Sequence, residues 1–207
     1  MKIMTSLALL AAAAAMPAIA SAETIDFDDV PANTPITTQY AGQGVTFLGL
    51  EDGAPVDIAA APDPDLGAVP SSPNALTNCD NALDFCNGNR ADVLRILFDT
   101  GASDISLQLN TLGLSSVTFN LYDAADNLLE SLVAGPTDGY DLVSFSSSGV
   151  YRIDGLQPDD EWAWALDDLT FTLAAVPEPA TWAMMIGGMG AVGGSLRRRQ
   201  RTSVRYA

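Results

Sequence analysis

The chain has 207 residues, 26 acidic side chains against nine basic ones, a formal net charge of −17, and no histidine. Without histidine, Ser-His-Asp and Cys-His nucleophilic machinery and most zinc hydrolases are excluded. The acidity argues against nucleic acid or anionic lipid as a partner, because both repel a surface of this sign.

In chain order, residues 1–22 read as a signal peptide. Lys2 supplies the positive start, Leu7 to Ala15 is an unbroken run of Ala and Leu, and Ala20-Ser21-Ala22 places small residues at an A-x-A site. Signal peptidase is expected to cut before Glu23. The following segment, residues 23–175, suits a single domain with its own core. It holds 25 of the acids and only three bases, Arg90, Arg95 and Arg152, a net of −22. Such a surface favours cations, with calcium the candidate outside the cell, and the same charge keeps a secreted protein soluble.

Strand signals dominate this domain. Thr24–Phe27 and Gly44–Leu50 come first. Glu51 to Asn89 then breaks the rhythm with Pro55, Pro62, Pro64, Pro70 and Pro73, and reads as a long loop of the kind that carries binding residues. Cys79 and Cys86 close it. In an oxidising compartment they are expected to pair, stabilising the domain by about 2–3 kcal/mol.

Val93–Phe98 is the next strand, followed by a turn at Thr100-Gly101. Ile105, Leu107 and Leu109 then alternate with polar residues, as do Val117, Phe119 and Leu121, and finally Leu169, Phe171 and Leu173. Period-two alternation means half-buried strands. Leu128–Val133, Tyr140–Ser146 and Val150–Ile153 complete the set. Asp123, Asp126 and Asn127 lack the glycine and terminal glutamate of an EF-hand and read as a hairpin loop. Trp162 and Trp164 share one face of a strand, to stack on a sugar ring or to fill the core. About nine short strands without a convincing amphipathic helix predict an all-β sandwich, jelly-roll-like by preference and immunoglobulin-like as the runner-up.

The C-terminus has a different grammar. Val176-Pro177-Glu178-Pro179 leads into an apolar run from Ala180 to Leu196, which ends in Arg197-Arg198-Arg199-Gln200-Arg201. At 1.5 Å per residue the run reaches roughly 26 Å, short of a bilayer core of about 30 Å. Five glycines between Gly187 and Gly194 weaken it further as a helix, and the Gly190/Gly194 spacing is read as accidental. The arginines should stay cytoplasmic, leaving residues 23–176 outside.

Pro177-Glu178-Pro179 with Trp182-Ala183, the apolar run and Arg197–Arg199 resembles the PEP-CTERM sorting signal in its P-E-P-x-x-W-A form. The resemblance covers residues 176–201, with a short tail at 202–207. It implies transient membrane insertion, processing by an exosortase-type transpeptidase, and release to the cell surface or extracellular polymer. Ile25-Asp26-Phe27-Asp28-Asp29, Tyr40 and Gly44-Val45-Thr46-Phe47 are similar to the opening of secreted β-domains of this class, and Ala165–Phe171 to their last strand. In carbohydrate-binding jelly rolls acids near such strands hold calcium, which takes six to eight oxygens. Asp167 shares parity with Leu169 and Phe171, which places it on the core side and makes it the first ligand candidate, with Asp28 and Asp29 as partners. The resulting reading is a non-enzymatic adhesive or structural protein associated with exopolysaccharide. Its rival is a glycan-processing hydrolase using paired carboxylates.

Overall fold

A computed structural model describes residues 21–62, 69–80, 90–113, 116–157, 163–175 and 179–199. Two compact units emerge: Ala20–Ala174 contains every strand, and the C-terminal helix belongs to the other. The signal-peptide run, Cys86, Trp162 and the Pro177-Glu178 pair lie outside the described residues.

Eleven strands are present among the described residues. They are β1 (Ala22–Ile25), β2 (Val45–Glu51), β3 (Ala54–Val56), β4 (Ala60–Pro62), β5 (Asn74–Thr77) and β6 (Val93–Asn110), followed by β7 (Val117–Tyr122), β8 (Leu128–Ala134), β9 (Asp141–Ser144), β10 (Val150–Leu156) and β11 (Ala165–Leu173). All pairings are antiparallel. One layer runs β3-β2-β6-β10-β7-β8; the other runs β9-β6-β11, beyond which lie β1 and the β5-β4 pair.

The 18-residue β6 joins the layers. Its first part pairs with β2 and β10, its last part with β9 and β11. Two separate strands were expected here, divided at Thr100-Gly101; instead the ladder continues through them. The inward set changes from Leu94, Ile96 and Phe98 to Ile105, Leu107 and Leu109, an even-to-odd switch. The extra residue is absorbed where Asp104 adopts φ 52°, so both halves face one core despite the break in period.

Among the described residues, the core cluster runs from Ile25 to Phe171, with Leu173 packed against it. Its largest member is Trp164, fully buried and edge-on to Phe119 with ring centroids 6.0 Å apart. Gly155 on β10 lies beneath it: a Cβ there would meet the Trp164 ring at 3.0 Å and Phe119 at 3.1 Å. Buried Asn78 ties this corner together. It accepts from the Trp164 amide at 2.9 Å and donates to the Ala91 carbonyl and the Gln157 side chain at 3.2 and 3.1 Å.

The proline-rich segment is more ordered than its composition predicts. It contains β3, β4 and β5, and β4 is buttressed by Asn33 and Thr34, which exchange backbone bonds with Ala60. Every residue of β5 is buried, so no alternation marks it. The Asp123–Asn127 segment is a hairpin loop, as its composition predicts, with Asp123 accepting from the Ala125 and Asn127 amides.

The C-terminal helix α1 spans Pro179–Arg199. No helix among the described residues is long and apolar enough to cross a membrane.

Candidate functional site

The sandwich gathers acids where β1 ends, β11 passes, and the segment at Ser71 folds over both. Residue parity alone misplaces the central one. Asp168 adopts φ 47° and the β11–β6 register shifts between Asp167 and Thr170. Leu166 therefore pairs with Leu109 on the core side, while Asp167 pairs with Gln108 on the opposite face. Asp167 is fully buried nonetheless, because the Ser71 segment covers that face.

Its carboxylate accepts the Ser71 amide at 3.1 Å, the Ser71 hydroxyl at 3.1 and 3.2 Å, and the Asp168 amide at 2.8 Å. The same hydroxyl reaches Asp168 at 3.0 Å. Burial outweighs these bonds and pushes the Asp167 pKa up to about 7. Asp28 accepts the Asn74 amide at 2.9 Å; its pKa is also raised, by burial first and then by the neighbouring charges of Asp26, Asp168 and Asp29.

Asp29 is exposed and accepts the Tyr40 hydroxyl at 2.6 Å. Tyr40 is buried against Phe27 and Phe47, and burial with the Asp29 bond raises its pKa far above the usual phenol value. The expected trio of Asp28, Asp29 and Asp167 is thus not one ligand set. Asp168, which sequence reading passed over, takes the place of Asp29, and its positive φ left no trace in the residue pattern. The donors are hard oxygens suited to calcium. Among the described residues, however, no three acidic, histidine or cysteine side chains converge as a metal-binding group.

Trp164 does not present a ring to a sugar: it is the centre of the core, with no exposed face. Of the two readings open to the pair, Trp164 takes the core-filling one, and Trp162 lies outside the described residues. Cys79 is buried; Cys86, with which it is expected to pair, lies outside the described residues.

A second constellation was invisible in sequence because its members come from distant strands. On the outer face of the first layer, Arg95 grips Asp154 with two bonds of 2.6 and 3.0 Å. Arg152 approaches the same carboxylate at 3.3 Å, pairs with Asp126, and lies 4.0 Å over the Tyr122 ring. Asp154 is 6% exposed although it faces outward, because the two arginines cover it. Cross-strand register aligns Arg152 with Tyr122, and Asp154 with both Arg95 and Asn120. Two of the domain's three bases therefore meet on one flat, hydrogen-bonding surface of a strongly acidic molecule.

Comparisons with known proteins bear on fold and tail separately. The K2 cleaved adhesin domain of Lys-gingipain is 13% identical, with 74% of this chain and 100% of that chain covered and a TM-score of 0.49. The K1 adhesin domain from Porphyromonas gingivalis W83 is 12% identical, covering 75% and 99%, with a TM-score of 0.45. The CBM22-1–CBM22-2 tandem domain of Paenibacillus barcinonensis Xyn10C is 14% identical, covering 81% and 50%, with a TM-score of 0.41. These likenesses concern the fold. No curated protein matches the chain. Residues 175–199 match the family profile of the PEP-CTERM protein-sorting motif.

Proposed function

Taking as premise that the chain is a PEP-CTERM protein, and so an exosortase substrate exported to the cell surface or extracellular space, we propose that its mature sandwich is a non-enzymatic, polysaccharide-associated structural or adhesive module. The observation that carries this reading is the sorting motif at residues 175–199 directly behind an all-β domain without histidine. Signal peptidase removes residues 1–22, exosortase acts near Pro177–Pro179, and Cys79 pairs with Cys86 in the exported form.

The outer face bearing Tyr122, Arg152, Asp154 and Asn120 is the proposed glycan contact. A guanidinium stacked on an aromatic ring offers a flat apolar plane, and the flanking Asn120 amide donates to and accepts from hydroxyls, while the covered Asp154 carboxylate holds the two arginines in place. The acidic junction is a scaffold beneath the Ser71 segment, neutralised by a proton on Asp167. Calcium held at this junction is the alternative neutraliser, and a rise in Tm with calcium over chelator would favour it.

The test is binding of the 23–175 domain to an array of acidic and neutral polysaccharides, with release of reducing ends followed in parallel. Binding without release, weakened at least tenfold by Arg152→Ala, is the expected result. Release abolished by a single carboxylate substitution would establish the glycan-processing hydrolase instead. Absence of binding to any polysaccharide would confine the module to a purely structural role.

A further inference from the structure

We propose that β8 is a self-association edge, through which the sandwich pairs antiparallel with the β8 of a second copy of this chain.

The five strands with a single ladder partner are β1, β3, β4, β8 and β9. An exposed edge offers unpaired backbone donors and acceptors, and proteins blunt it by shortness, proline, lysine, bulges or a covering segment. Four of the five are blunted. β1 and β9 have four residues, and β3 and β4 have three. β3 also contains Pro55, and β4 ends at Pro62 beneath the Asn33–Thr34 backbone. β8 is the least blunted, with seven residues, LLESLVA, and neither proline nor lysine; its one irregularity is a bulge at Leu129, and Glu130–Ala134 runs in regular register.

Three of the five exposed large hydrophobic side chains of the sandwich lie in the same place, the others being Leu142 on β9 and Tyr151 on β10. Leu128, Leu129 and Val133 are 56%, 40% and 63% exposed on β8, an unusual concentration for one strand of a soluble domain. Its lone charge is taken out of the way: Glu130 points to the core side and accepts the Ser146 and Ser147 amides at 3.0 and 2.8 Å. A neutral, apolar edge thus stands on a domain of net charge −22.

The residue order is self-complementary. A two-fold axis at Ser131 sets Leu129, the bulged residue, opposite the partner's Val133, and Ser131 opposite its own copy. Opposed positions keep the same parity, as antiparallel pairing requires, and each apolar pair is of the kind that stabilises a ladder. No like charges come directly opposite, since Glu130 falls across from the partner's Leu132. The symmetry is isologous and closes at two copies, so the product is a dimer with one continuous layer, not a fibre. This inference is independent of any polysaccharide contact.

Charge supplies the discriminating signature. The bodies of the two domains repel, and salt screens that repulsion over about 10 Å at 0.1 M. Sedimentation equilibrium of the 23–175 domain, which contains the whole core, should show dimer strengthening at least tenfold between 0.05 and 0.5 M NaCl. Val133→Lys should weaken it at least tenfold at fixed salt, although the added lysine lowers the net repulsion. Hydrogen exchange should slow along β8 on dimerisation, and Leu142→Lys on β9 should change nothing. An unchanged Tm in each variant certifies the fold. A wild-type domain that stays monomeric to millimolar concentration in 0.5 M NaCl overturns the proposal. So does a dimer insensitive to Val133→Lys, or one lost only with Leu142→Lys.

Discussion

Asp167→Asn is the substitution from which the acidic junction has most to reveal. The carboxyl is fully buried, with a pKa of about 7 in the fold against an ordinary 3.8. A raised native pKa means the native state binds more protons than the unfolded chain between these values, so stability falls as pH rises through the window. The contribution is fully present below about pH 4 and lost above about pH 7. At 1.36 kcal/mol per unit the loss amounts to about 4 kcal/mol. Asparagine imitates the protonated form in shape and, like it, keeps one carbonyl oxygen, for either the Ser71 amide at Oδ2 or the Asp168 amide at Oδ1. Urea unfolding of the 23–175 domain in chelator, followed by tryptophan fluorescence, should therefore give equal stabilities at pH 4. At pH 8 the variant should be the more stable, by up to about 4 kcal/mol. A variant less stable than wild type at pH 8 in chelator, or a difference independent of pH, would refute the account of burial as the dominant cause. Repeating the pH 8 measurement with calcium separates the two neutralisers: only a wild-type gain, absent in the variant, supports a bound ion.

Three further outcomes are expected. Gly155→Val drives a side chain into the Trp164 and Phe119 rings, which stand 3.0 and 3.1 Å from a mere Cβ, and should cost about 1–3 kcal/mol by thermal unfolding. Asn78→Ala strips the buried Trp164 amide of its acceptor and removes both amide donations; two-state denaturation should register a loss of about 2–4 kcal/mol. Mass spectrometry of the mature exported protein should find no peptide beyond about Pro179, and an intact Arg197–Arg199 tail in most molecules would remove the processing step.

What the sequence discloses depends on whether a strand has one wet face. β7 does: Val117, Phe119 and Leu121 are buried and the residues between them are not, so it could be read directly. β5 has no wet face, and β4 is three residues of Ala and Pro, so neither carries a period to detect. β6 and β11 carry clear periods that are each interrupted by one residue of positive φ, Asp104 and Asp168. A bulge of this kind reverses the meaning of every later position. That is why Asp167 reads as core-facing when its side chain lies under Ser71. Trp164 was open to two readings because an aromatic serves equally as core or platform, and only its packing on Gly155 decides. The Arg95–Asp154–Arg152 group joins residues up to 59 positions apart, and no local pattern announces it. The tail, by contrast, acts as a linear signal, so its reading needed no fold.

The placement of β11 has a mechanical consequence. This strand ends at Leu173, just ahead of the sorting motif, and over Leu169–Thr172 it is flanked by β1 on one side and β6 on the other. A pull on the C-terminus therefore enters the sandwich along an interior strand, loading two antiparallel ladders in shear at once. It cannot unzip an edge bond by bond. Because β6 continues into the other layer, part of that tension passes across the core to β2 and β10. The sandwich is built to resist traction from the end by which exosortase handles it.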